Sequence, residues 1–229
     1  MRIARWIFKL QFDRLNSFIF LVILGLFSLI LVLNGLSFKN DLDYGENFLI
    51  FSLSLTRIIL TFFVIILGGG NSYYKKNGVL VLVYTRGVKR LKYHLLQTAI
   101  ELLTVFLILI TLSMLCFIFS HFLFKPFGIV KMFTVATLES FLYLLGYLAL
   151  SSFLVTAFNN LYILIVPFCL CFLSLNVTSD TLKTVLGFFI PVFDSTNLVL
   201  FTNHFYLAFY LVLFYFGAVY LKVQKDIKY

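Results

Sequence analysis

The chain has 229 residues, of which 62% are hydrophobic and only 12% are charged, and its mean hydropathy is +1.05. That balance excludes an ordinary soluble domain, in which about a quarter of residues carry charge. The net charge of +9 would suggest nucleic acid in a soluble protein, but the basic residues flank apolar runs, so retention of cations on one side of a membrane accounts for them and no nucleic-acid partner is expected.

Residues 1–16 read as an interfacial helix. Arg2, Arg5, Lys9 and Asp13 recur at helical spacing, with Ile3, Trp6, Ile7 and Leu10 on the other side. A basic face opposite a Trp and aliphatic face suits a helix lying among lipid headgroups. The first apolar run is long and lacks a small-residue cleavage site, so no cleavable signal peptide is expected.

Six stretches then read as spans: 17–37, 48–69, 95–119, 133–157, 160–177 and 203–222. A hydrocarbon core of about 30 Å needs about 20 apolar helical residues. The fifth stretch is the shortest and contains Pro167. The N-terminus, the loop Asn71 to Tyr93 and the C-terminal tail hold thirteen of the eighteen Lys and Arg. Lys39, Lys125, Lys131 and Lys183 fall in the opposite loops, and Arg57 lies in a span. This asymmetry predicts both termini on the cytoplasmic side.

The outer loop with Asp41, Asp43, Gly45 and Glu46 lacks the length and terminal Glu of a calcium loop and reads as a solvated acidic segment. A tight turn is expected at Phe158, Asn159 and Asn160. Residues 177–202 are too apolar for a free loop and too broken for two spans. Asp180 can cap a short helix that Pro191 stops, and Asp194 with Ser195 can cap a second. The expected result is a broken helical hairpin dipping into the outer leaflet, shielded by other spans. Asn176-Val177-Thr178 fits a glycosylation acceptor, a weak three-residue signal at a membrane edge.

Three ionisable residues fall inside spans: Arg57, Glu101 and Glu139. Such charges face a protein interior or a water-filled path and find partners. Counting along the helices places Arg57 about 14 Å, Glu139 about 9 Å and Glu101 about 21 Å from the outer boundary. Arg57 is thus nearer in depth to Glu139, and its long side chain can cover the gap. An Arg57–Glu139 contact is expected, which either fixes span packing or lines a translocation path.

Cys116, Cys169 and Cys171 all lie in apolar segments. The last two, two residues apart, point to roughly opposite helix faces and make a poor metal clip, so no metal is expected. His94, His121 and His204 sit at span ends. The sequence has no HExxH, GxSxG or GxxxxGK[ST], so no catalytic residue and no nucleotide site is expected in this chain.

The remaining feature is the basic loop. Asn71 to Gln97 carries six basic residues and no acid, yet Val79 to Tyr84 is wholly apolar. A topogenic basic anchor would explain the charge; the sticky centre points instead to docking. From Gly78 onward, GVLVLVYTRGVKRLKYHLLQ resembles the inner loop after the second span of ABC-2 type permeases, the membrane subunits of bacterial ABC exporters. Gly78, Thr85, Arg86, Val88 and Arg90 fit that pattern. Val79 replaces its Thr, Gly87 its Pro and Gln97 its Lys, and the acidic residue often found before the glycine is absent. The interfacial N-terminal helix, the six spans and the broken hairpin before the sixth also look like that family.

The resemblance implies an all-α integral membrane protein with residues 1–229 forming one permease domain in a bacterial cell membrane. It implies that 71–94 is a cytoplasmic coupling loop in which Tyr73 to Thr85 is a helix seated in a groove of a separate ATPase. Tyr73, Gly78, Leu80, Leu82, Val83, Thr85, Arg86 and Arg90 would make or support that contact. The implied partners are two cytoplasmic ABC ATPase subunits, a second permease copy or a homologous permease, and membrane lipid; ATP and Mg would bind in the ATPase. The implied activity is export of a hydrophobic or amphipathic compound, such as a peptide, a lipid-like molecule or a drug. Two other readings stay open: a membrane immunity or scaffold protein that works without ATP, and a six-span substrate-binding subunit of an uptake system.

Overall fold

Long apolar stretches with few charges have one stable option in hydrocarbon, which is to satisfy every backbone group inside a helix. The computed structural model describes residues 25, 27–30, 32–33, 44–73, 89–124, 129–176, 179–187, 190–192 and 204–227, and these are almost entirely helical. We number the main helices α1 (Tyr44–Tyr73), α2 (Arg90–Phe124), α3 (Ile129–Phe158), α4 (Ile165–Asn176), α5 (Asp180–Gly187) and α6 (His204–Ile227). Among the described residues, four stretches are long and apolar enough to cross a membrane: Asn47–Gly70, Leu91–Phe122, Phe133–Phe158 and Leu207–Gln224. They coincide with the second, third, fourth and sixth predicted spans. The predicted interfacial helix and most of 17–37 lie outside the described residues, although Phe27 from that stretch is buried in the core.

The central helix is α3, which packs most extensively against α1 and α6 and also meets α2. Ring contacts fix the directions. Phe106 meets Phe141 and Phe117 meets Phe133, so α2 runs opposite to α3. Arg57 lies level with Tyr143, and Gly68 with Leu148 and Ser151, so α1 runs with α3. The last residue of α1, the first of α2 and the last of α3 therefore share one end of the bundle. Between the helices the core is Leu, Val, Ile and aromatic, with Leu60, Val64, Leu109, Leu112, Leu144 and Leu148 among its fully enclosed members. Outward faces remain apolar: Phe122, Leu138, Phe209 and Phe216 are all more than 60% exposed, a pattern suited to lipid contact.

Small residues set the closest approach. A methyl group added at Gly68 would strike the Ser151 hydroxyl and come within 2.9 Å of the Leu148 carbonyl oxygen. Backbones this close give good van der Waals contact, the main attraction between helices in lipid.

The turn after α3 is as tight as its two asparagines suggest. Asn159 has φ 54, a left-handed conformation that Asn tolerates better than most residues. Asn160 then accepts a hydrogen bond from the Tyr162 amide at 3.0 Å and caps a 3₁₀ turn, Leu161–Leu164.

The fifth predicted stretch, 160–177, is helical over Leu161–Asn176 but in two geometries, a 3₁₀ turn followed by the twelve residues of α4, and is a shorter apolar helix than the four spans. Pro167, lacking an amide hydrogen, sits in the first turn of α4, where the chain changes from 3₁₀ to α geometry. The path from Leu161 to Ser174 rises about 23 Å, and the stretch of α3 from Phe158 back to Tyr143 covers about 22 Å. The agreement explains why Ser174 meets Tyr143, and why α4 ends well before the far end of α3. Beyond it α5 begins one residue after Ser179, whose carbonyl accepts from the Lys183 amide at 2.9 Å. Ser179 thus occupies the capping position expected for Asp180. Pro191 follows α5 and presses its ring against Gly146, a fit that a methyl group there would block. The second arm of the predicted hairpin, with Asp194 and Ser195, lies outside the described residues.

Candidate functional site: a buried polar seam

Hydroxyl groups along α1 and α3 mostly satisfy themselves. Ser52 bonds the Leu49 carbonyl at 3.0 Å, Thr56 that of Ser52 at 2.8 Å and Thr61 that of Arg57 at 2.7 Å. On α3, Ser151 and Thr156 do likewise. These back-bonds let polar residues sit among apolar helices. Thr56 additionally reaches Cys116 Sγ on α2 at 3.3 Å.

Arg57 is 1% exposed and is the largest wholly enclosed side chain among the described residues. Its guanidinium carbon stands 5.6 Å from the centroid of the Tyr143 ring. A desolvated cation over an aromatic face gains about 2 kcal/mol. Glu139, also buried, precedes Tyr143 by one helical turn and so shares its face of α3. Arg57 thus stands against the part of α3 that carries Glu139. Glu101 is satisfied differently: Gln97 Nε2 donates to its Oε1 at 2.7 Å from one turn earlier on α2.

The seam continues from Tyr143 into α4. Ser174 Oγ donates to the Cys171 carbonyl at 2.8 Å. Its single hydrogen is then used, so both tyrosine hydroxyls must donate to it, Tyr143 at 3.1 Å and Tyr147 at 3.3 Å. One serine oxygen therefore carries one donor bond and two acceptor bonds, its full capacity. Cys171 Sγ lies 3.9 Å from the Tyr143 hydroxyl, so the ring under the Arg57 guanidinium is also the one that meets α4.

A second buried polar contact lies nearer the shared end of the bundle. Lys222 on α6, 7% exposed, donates to Ser152 Oγ on α3 at 2.9 Å. The sequence places Lys222 at the close of a span, and nothing in its spacing identifies Ser152, seventy residues away, as the partner.

Of the predicted coupling residues, Tyr73 closes α1 and Arg90 opens α2. Gly78, Leu80, Leu82, Val83, Thr85 and Arg86 lie outside the described residues. The three intramembrane charges are all buried. Arg57 and Glu139 converge on one stretch of α3, and Glu101 pairs within α2. The cysteines divide as their spacing predicts, with Cys171 buried and Cys169 exposed. Sequence reasoning missed Tyr143, Tyr147 and Ser174. No cluster of three His, Cys, Asp or Glu suited to a metal occurs among the described residues.

No protein-family model, curated protein or solved structure matches the chain.

Proposed function

We propose that this chain is the membrane-spanning permease subunit of an ABC exporter of the ABC-2 type. The observation that carries the reading is the loop between α1 and α2. It is strongly basic, free of acid, and apolar at its centre from Val79 to Tyr84. Basic residues hold such a loop in the cytoplasm, and an apolar centre there requires a partner surface. The resemblance of Gly78, Thr85, Arg86, Val88 and Arg90 to the ABC-2 pattern supports an ATPase as that partner, two copies of which would serve a pair of permease chains, identical or homologous. The chain itself contributes no catalytic group; ATP and Mg are held by the ATPase.

In this account both termini are cytoplasmic, the membrane is the bacterial cell membrane, and the chain completes six spans. Leu80, Leu82 and Val83 seat in the ATPase groove, with Arg86 beside them. Closure of the ATPases pushes on the loop, and because α1 and α2 run directly from it, the push reaches both helices at once. The α1 helix transmits the push to Arg57 and hence to its contact with α3. An ion pair between Arg57 and Glu139 would keep α1 and α3 in one register during that stroke. The cargo is hydrophobic or amphipathic.

The test is capture of the ATPase encoded nearest to this gene, in mild detergent, by the native chain and by Leu82→Asp and Arg86→Glu. Stable capture lost in both variants supports the proposal. Absence of capture by the intact native chain would favour an immunity or scaffold protein that works without ATP.

A further inference from the structure

The first two turns of α2 carry a feature that the coupling role does not use. Lys89, Leu91, Lys92, Leu95 and Leu96 line an open groove of about 450 Å³. The face is sharply divided. Lys89, Leu91, Lys92 and Leu95 are exposed, whereas Tyr93, His94 and Gln97 on the opposite side are buried in the bundle. Leu91 and Leu95 are one helical turn apart and form an apolar wall. Lys89 and Lys92, three residues apart, stand on either side of Leu91 along the chain.

The level of this groove decides what fits it. The apolar window of α2 begins at Leu91, so Lys89 stands just outside it, Lys92 lies in its first turn with a stem long enough to return its charge to the boundary, and Leu95 lies one turn deeper than Leu91. An occupant must be anionic where it meets the lysines and aliphatic where it meets the leucines. Neither α1 beyond Glu46, nor the loop, nor the first turns of α2 carry an acid, since no Asp or Glu occurs between Glu46 and Glu101. The start of α2 adds the positive end of a helix dipole to the same spot. We propose that this groove is a binding site for an anionic phospholipid, with its phosphate between Lys89 and Lys92 and an acyl chain along Leu91 and Leu95. Basic grooves beside spanning helices at the cytoplasmic surface suit such headgroups. A lipid held there would brace the base of the loop that leads into α2.

The experiment uses the full chain purified in detergent with no ATPase present, so its outcome is independent of the exporter reading. Phosphatidylglycerol, phosphatidylcholine or inorganic phosphate is added, and retained lipid is read by native mass spectrometry alongside the unfolding midpoint. Each lysine near an anionic headgroup favours binding by about 1 kcal/mol, so the pair predicts a preference for phosphatidylglycerol over phosphatidylcholine of roughly thirtyfold. The double variant Lys89→Gln/Lys92→Gln should lose that preference while still folding, and Lys89→Arg/Lys92→Arg should keep it. Equal retention of the two lipids by the native chain, or an unchanged preference in the Gln variant, would overturn the site. Stabilisation by inorganic phosphate matching that by phosphatidylglycerol would show a soluble-anion site instead and equally overturn it.

Discussion

Ser174 is the residue on which the buried seam turns. Its oxygen accepts from Tyr143 and Tyr147 while its hydrogen bonds Cys171. Tyr143→Phe removes one of these bonds and leaves the others, so a loss of about 1 kcal/mol is expected. Ser174→Ala strips the acceptor from two buried hydroxyls and should cost about 2 kcal/mol or more. Reversible unfolding in detergent would measure both, and a serine variant milder than the tyrosine variant would contradict the assignment. Arg57 and Glu139 admit a sharper test. The account predicts a coupling above about 0.5 kcal/mol in a double-mutant cycle using Arg57→Gln and Glu139→Gln, whereas independent sites would give additive losses. The charges were legible in the sequence because a charge in hydrocarbon is costly enough to demand a reason. The tyrosines were not. The chain has thirteen, and the two that matter are distinguished only by a serine about thirty residues away that folding brings alongside.

At the scale of the element, the long helices were legible because an apolar run of sufficient length has little alternative in a bilayer. Their ends were less so: α1 and α2 both extend beyond the predicted apolar stretches, since a helix does not stop where hydropathy falls unless a cap stops it. The length of α4 was only half visible. Pro167 marked the weakness, but the level at which α4 ends is set by Ser174 meeting Tyr143. Two glycines separate close packing from simple helix propensity. Gly68→Ala inserts a methyl group between α1 and α3 and should destabilise by roughly 1–3 kcal/mol. Gly25 has nothing within 4 Å of an added methyl group, so Gly25→Ala should be neutral or stabilise by up to about 1 kcal/mol through helix propensity. Melting the two variants in parallel checks the contrast, and equal effects would argue against the tight α1–α3 contact. At the turn after α3, Asn159→Val forces a branched side chain into the left-handed region and should cost about 1–2 kcal/mol, with Asn159→Gly close to neutral.

For the whole molecule, the bundle joins three things that the sequence keeps apart. The Arg57 seam lies midway along α1 and α3. Lys222 ties α6 to α3 through Ser152 nearer one end. The two helices that flank the basic loop, α1 and α2, meet at Thr56 and Cys116. α1 thus runs as one continuous helix from the loop to the seam, and α3 links the seam to α6; in the proposed exporter a displacement of the loop would follow that path. The loop's pattern was visible in the sequence because charge and apolarity conflict within a few residues there. The proposed coupling to an ATPase calls for a measurement. The most direct one is the rate of ATP hydrolysis by the neighbouring ATPase, co-reconstituted in lipid nanodiscs with the native chain or with Leu82→Asp. The account predicts a rate several-fold higher with the native chain than with the variant or with empty nanodiscs. The same rate in all three, with the native chain folded and present, would contradict it.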